Sequence, residues 1–200
     1  MERIEIVEEI CRDLLASLGE ESMYHNLNHT KSVVNMAKKL GVESGLDESR
    51  LELLLSAAWF HDCGYINGGA EGHEERSCIL VDEELSDYFT DLEREKIKNA
   101  IKATEWPQNP SSNIGELLAD ADVHTLGTKE FDEVEAQIFL ELRQTSHPNL
   151  NRDQFIEARL DMFLGYEFHT AIGREYFQQD KDKNIARMFN EWRFVIQNGK

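Results

Sequence analysis

Apolar residues recur three or four positions apart along most of this chain, the spacing of one helix face. Ile4, Val7, Ile10, Leu14 and Leu18 form a first stripe, which Gly19 closes. Val33, Met36, Ala37 and Leu40 form a second, with Gly41 as its stop. "LDESRLELLLSAAWFHDCG" predicts a third helix, capped by Asp47 or Ser49 and ended by Gly64. "HEERSCILVDEEL" predicts a fourth. The fifth is announced by "TDLE", where Thr90 and Glu93 can form a capping box ahead of Leu92, Ile97 and Ile101. "WPQNPSS" reads as a loop, after which Asn113 with Glu116 can cap "IGELLADADVHTLG". Phe131, Val134, Ile138 and Leu142 mark the next helix. Asn151 can cap one through Phe155, Ile156, Leu160 and Phe163. A last stripe runs through Ile185, Met188, Phe189, Trp192 and Ile196. No segment alternates with period two, so the expected fold is all-α, with about eight to ten helices. No internal repeat or low-complexity linker breaks the chain, and one domain spanning 1–200 is expected.

Composition narrows the classes. Hydrophobic residues make up 40% of the 200 positions, enough for a real core, and the net charge is -18. So acidic a surface repels nucleic acid, and no apolar run approaches the ~20 residues of a membrane span. The first ten residues are acidic and amphipathic, neither a secretory signal nor an Arg-rich transit peptide, and a cytoplasmic protein is expected. Cys11, Cys63 and Cys78 make an odd set without a CxxC. Small core residues are expected there, rather than a disulfide framework or a thiolate zinc site.

Against this background "AAWFHDCGY" stands out, because an apolar run ends in two adjacent ionisable groups. On the third helix, His61 and Asp62 continue the face of Leu54 and Ala58. A carboxylate on a core face must be paired, hydrogen-bonded or bound to a metal. On this stretch alone, a His–Asp pair plugging a helix end explains the residues as well as a ligand pair does. Other helices repeat the pattern. His29 shares the face of Val33 and Ala37. Asp122 lies four residues after Leu118 and four before Leu126, and Asp120 points farther round the same helix. Three helices thus bring histidine or carboxylate to an inward face. Two imidazoles and two carboxylates form a mixed N/O set that suits Mn, Fe, Co, Ni or Zn and leaves positions for water and substrate. Bundle cores commonly hold such sites.

The ordered set "YHNLNHTKSVV…AAWFHDCGY…HEERS…ADADVHTLG" resembles the HD superfamily of metal-dependent phosphohydrolases, named for a His-Asp doublet, here His61-Asp62. The similarity covers a motif core of about residues 20–130, with helices over 131–200 expected to pack on it. It implies a helical bundle with a metal site in its core, and His29, His61, Asp62 and Asp122 as the ligands. Two-metal members carry further histidines between the doublet and the last aspartate. Here "ATEWP" has Glu105 and Trp106 where many relatives have a histidine, and only His73 lies in that interval. One divalent ion is therefore expected (Mn, Fe, Co, Ni, Zn or Mg). The same shortage of histidines argues against a two-iron oxygenase.

The activity so implied is hydrolysis of a phosphoester or phosphoanhydride, of a nucleotide or another small phosphorylated metabolite, by a metal-activated water. The alternative is a catalytically quiet HD module that binds a nucleotide or a partner protein. Asp62 is expected to accept a hydrogen bond from the nucleophilic water. Glu74 and His73 are the nearest proton carriers, although Glu74 and Glu75 read equally well as solvated first-turn acids. His25 and Asn26 are expected to orient ligands or line the pocket, or else to fix the loop before the helix. Lys31 and Arg76 are among the cations that could meet a phosphate. No nucleic-acid or membrane partner is expected, and the oligomeric state stays open.

Overall fold

The computed structural model describes residues 2–198, and the side chains of residues 2–194. Among the described residues, ten α-helices follow one another in the order α1 (Glu2–Leu15), α2 (Leu27–Glu43), α3 (Glu48–Phe60), α4 (His73–Glu84), α5 (Asp91–Lys102), α6 (Asn113–Asp122), α7 (Phe131–Thr145), α8 (Arg152–Phe163), α9 (Ala171–Gly173) and α10 (Gln179–Asn198). Short 3-10 turns occupy Cys63–Asn67 and His124–Gly127, and a π-helical turn, Arg174–Gln178, joins α9 to α10. No strand occurs among the described residues, as the period of the apolar positions predicts. None of these helices is long and apolar enough to cross a membrane. The chain forms two compact units, Met1–Val123 and His124–Lys200.

In the first unit, α3 is the central helix and packs against α1, α2, α5 and α6. Its last eight residues, Leu53 to Phe60, are all buried. A helix apolar on every side must lie inside a bundle, and that is where the chain places the His61-Asp62 doublet. The local start signals hold. The Asp47 side chain accepts the Arg50 amide at 2.9 Å, and Thr90 with Glu93 closes a complete capping box. The start of α6 differs from expectation: Ser112 is the cap, accepting from the Gly115 amide. Asn113 instead accepts from the Arg50 guanidinium at 3.0 Å.

Other departures have tertiary causes. The inward face of α1 is Val7, Cys11 and Leu15, and the helix stops at Leu15, short of Gly19. Leu92, placed in the core stripe of α5 by its spacing, sits in the first turn and is 67% exposed. Gly41 does not end α2, which runs on to Glu43. A Cβ there would come within 2.9 Å of the side chains of Leu51 and Leu54, so this glycine lets α2 and α3 approach closely. Gly45, past the helix end with φ +74, takes the left-handed conformation instead.

In the second unit, Asn151 and Gln154 form the second capping box, ahead of buried Phe155, Ile156, Leu160 and Phe163. Ile185 and Met188 of α10 are buried, while the side chain of Ile196 lies outside the described residues. The buried Glu135 carboxylate accepts two hydrogen bonds from Arg159, at 2.7 and 2.8 Å, which offsets the desolvation of both charges.

Candidate metal centre

Four side chains from three helical segments of the first unit converge. His29 comes from the first turn of α2. His61 caps the C-terminus of α3, and Asp62 lies just beyond it at φ -105, ψ 2. Asp122 is the last residue of α6. The doublet therefore does not continue α3 as a helical face. His61 keeps helical dihedrals and the chain leaves the helix at Asp62, so that imidazole and carboxylate face the same point. The Ser77 hydroxyl of α4 fastens this turn, donating to the His61 carbonyl at 2.7 Å and accepting the Gly64 amide at 2.8 Å. Gly64 makes that approach possible, because a Cβ there would stand 2.0 Å from the His73 carbonyl oxygen.

The Nε2 atoms of His29 and His61 are 3.3 Å apart. Asp62 Oδ2 is 3.3 Å from each of them. Asp122 Oδ1 is 3.3 Å from His29 Nε2 and 3.5 Å from His61 Nε2. Donors bound about 2.1 Å from one ion, at octahedral to tetrahedral angles, are roughly 3.0–3.4 Å apart. The spacings therefore fit a shared cation. Tautomer chemistry agrees. His61 Nδ1 lies 2.8 Å from the Ala58 carbonyl, to which it can only donate. In the neutral ring, Nε2 then presents a bare lone pair to two carboxylates, an arrangement that a cation resolves. Asp62 Oδ2 is fully shielded and has no partner with hydrogen-bond geometry. His29, His61 and Asp62 are 7%, 1% and 3% exposed, so an unpaired charge here would be costly.

Proton equilibria reflect the same crowding. Burial works to lower the pKa values of His29 and His61, but the carboxylates of Asp62 and Asp122 outweigh it and hold both above the ordinary range. Burial works to raise Asp62 and Asp122, and the facing imidazoles outweigh it and hold both low. Asp120, the other aspartate of α6, is fully buried at 0% exposure, whereas the Asp122 side chain that joins the cluster is 19% exposed, so burial alone would pick the wrong aspartate.

Around this cluster the remaining predicted residues fall into distinct places. His73, at the start of α4, puts Nε2 at 3.2 Å from Asp62 Oδ1, and its Nδ1 lies 2.7 Å from the Ala70 carbonyl. Burial lowers the His73 pKa, and Asp62 more than reverses this. Glu74 is buried rather than solvated. Its carboxyl lies 3.3 Å from His73 Nδ1, and burial pushes its pKa up against the pull of His73. Asn26 is the N-cap of α2: its Oδ1 accepts the Asn28 amide while its Nδ2 donates to the carbonyls of Ser22 and Met23. It thus fixes the loop before the helix. Arg76 donates to the carbonyls of Gly64, Gly69 and Glu71, so its guanidinium clamps the loop between α3 and α4. Lys31 is half-buried on α2.

Tyr65 is the residue that sequence reasoning passed over. One ring contact stacks it on His25, with centroids 4.4 Å apart and planes at 13°. Another sets it against His73, also at 4.4 Å. This aromatic ladder joins the approach to α2, the turn after α3 and the start of α4. Its only signal in the chain was the placement of an aromatic three positions after the doublet.

The HD domain family model matches residues 26–126, just over half of the chain and the stretch holding all four converging side chains. The protein belongs to the HD-domain family. That family is typically one of metal-dependent phosphohydrolases, and divalent metal binding comes with it; here His29, His61 and Asp122 form a group able to hold an ion. No curated protein matches the chain, and no solved structure does.

Proposed function

We propose that this protein hydrolyses a phosphoester or phosphoanhydride bond in a small phosphorylated substrate, a nucleotide or a related metabolite. One divalent ion, held by His29, His61, Asp62 and Asp122, would serve the reaction. The observation that carries the reading is the convergence of these four side chains around the unpartnered Asp62 Oδ2. Bound there, a divalent ion supplies Lewis acidity toward a phosphoryl oxygen and acidifies a water molecule. Mixed N/O donors accept Mn, Fe, Co, Ni, Zn or Mg, and selection among them follows availability as much as preference.

The chain's own residues supply orientation and proton handling. The Ala58 carbonyl holds the His61 ring in the tautomer that leaves Nε2 free to ligate. Asp62 uses Oδ2 toward the ligand cluster and Oδ1 toward His73. His73 can donate at Nε2 only as the imidazolium, because Nδ1 is committed to Ala70. Its raised pKa keeps that form available, so it serves as a proton donor beside the reacting group. Glu74, with its pKa raised by burial, stands behind His73 as a proton acceptor. With Arg76 engaged by carbonyls, the ion and His73 would supply positive charge for the phosphate at the cluster itself. That local charge admits a small phosphate, while the net charge of -18 opposes a nucleic acid.

The test is a panel of nucleotides and generic phosphate esters, assayed with each divalent ion and with chelator. Turnover of at least one substrate that needs the ion and stops with chelator supports the reading. A protein fully loaded with metal yet inert across the panel would transfer it to the quiet nucleotide- or protein-binding module.

A further inference from the structure

Cys11 and Cys63 are 52 positions apart in the chain, yet their Sγ atoms lie 3.1 Å from one another. Cys11 is the middle residue of the inward face of α1, and Cys63 opens the 3-10 turn immediately after Asp62. Both are 0% exposed. They share an acceptor: the Trp59 carbonyl oxygen is 2.7 Å from Cys11 Sγ and 3.5 Å from Cys63 Sγ. One S–H can point at that carbonyl and the other at the neighbouring sulfur, so the pair is held face to face in the reduced state. A disulfide bond is about 2.05 Å long, so closing the gap takes roughly 1 Å of motion.

We propose that Cys11 and Cys63 form an oxidisable pair, which a peroxide closes into a disulfide that staples α1 to the turn carrying the His61-Asp62 doublet. The thiolate of Cys11 attacks one peroxide oxygen. The O–O bond breaks, a sulfenic acid forms, and the departing hydroxide takes up a proton to give water. The Cys63 sulfur then attacks the Cys11 sulfur, the S–S bond forms and a second water leaves. In sum, two thiols lose two electrons and two protons, and one hydrogen peroxide becomes two waters. The oxidant reaches Cys11 when α1 lifts. The ties of that helix near its start are the contacts of Arg3 with Glu52, Glu93 and the Tyr88 carbonyl, which are partly open to solvent and so favour local opening. Return of the helix brings the modified sulfur to its partner. Cys78 has no such partner. Its Sγ faces the Lys98 carbonyl at 3.6 Å rather than a second sulfur.

The full-length protein is treated with hydrogen peroxide, quenched with catalase, denatured, alkylated and mapped by mass spectrometry without reduction. The expected result is an intact mass lower by two hydrogens, a Cys11–Cys63 linked peptide, alkylation at Cys78 alone, and reversal by dithiothreitol. The oxidised protein should also melt several degrees higher, because the cross-link constrains the unfolded chain. In Cys11→Ser both the linked peptide and the gain in melting temperature should be absent. The peptide map of the parent protein needs no variant and decides the matter by itself. The proposal is overturned if Cys78 oxidises while Cys11 and Cys63 remain alkylatable, if either of the pair ends as a sulfinic acid, or if either is found linked to Cys78.

Discussion

His73 Nε2 lies 3.2 Å from Asp62 Oδ1, while the other oxygen of the same carboxylate faces His29 and His61 at 3.3 Å. One aspartate therefore joins the candidate ligand cluster to the candidate proton donor. A change at Asp62 should disturb both, and a change at His73 only one.

Metal content is the first test. Asp62→Ala should lower the bound metal well below that of the parent, measured by elemental analysis after equal loading. Asn26→Ala should cost far less, because it affects the loop before α2 and not a donor; changes around ligands typically cost 10–100-fold in affinity. Full metal content in Asp62→Ala would remove this aspartate from the ligand set.

Proton handling is the second. His73→Ala and Glu74→Gln should retain metal and helix content but slow turnover, by roughly the 10²–10⁴-fold that general acid–base catalysis supplies. Glu74→Gln is isosteric, so a large loss could not come from packing. An unchanged rate in both variants would leave Asp62 alone to handle the proton.

The third concerns pH in the metal-free protein. The folded-state pKa values of His29 and His61 are raised above the unfolded value of about 6.5. Their pairing with Asp62 and Asp122 thus stabilises the fold fully below about pH 6.5, and the contribution is lost as pH rises through the raised values. Protons and metal compete for the same nitrogens, so metal affinity should move the opposite way and strengthen with pH. Chemical denaturation in chelator from pH 5.5 to 9 should show falling stability, and titration of metal over the same range should show tightening. Stability of the chelated protein that rises across this range would contradict the assignment of the histidine–aspartate pairs.

Gly64 supplies the fourth. Gly64→Ala puts a methyl group 2.0 Å from the His73 carbonyl oxygen and 2.7 Å from the Ser77 amide nitrogen, both backbone atoms that cannot rotate away. The turn must shift, at a cost of about 1–3 kcal/mol. His73 should move relative to Asp62, so the variant should lose activity beyond what its lowered melting temperature explains. Normal turnover in a folded Gly64→Ala protein would show that the spacing between α3 and α4 is not critical.

Much of this molecule follows from local rules. The Thr90–Glu93 capping box and the Asn151 cap read correctly from the chain, because a cap and the amide that it accepts sit three residues apart in any context. The period of the apolar positions gave an all-helical chain, because only that period lets each helix bury one face. His29, His61, Asp62 and Asp122 were legible because ionisable groups beside core stripes need partners. Tertiary structure decided the rest. Whether Gly41 stops a helix or admits a neighbour depends on Leu51 and Leu54. Whether Arg76 meets a phosphate or clamps a loop depends on carbonyls that only the folded turn presents. The deeper burial of Asp120 than of Asp122, the stacking of Tyr65 between two histidines, and the meeting of Cys11 with Cys63 have the same origin. Periodicity ranks the faces of a single helix. It carries no information about which faces of other helices come to meet them, and chemistry at a shared point is set by that meeting.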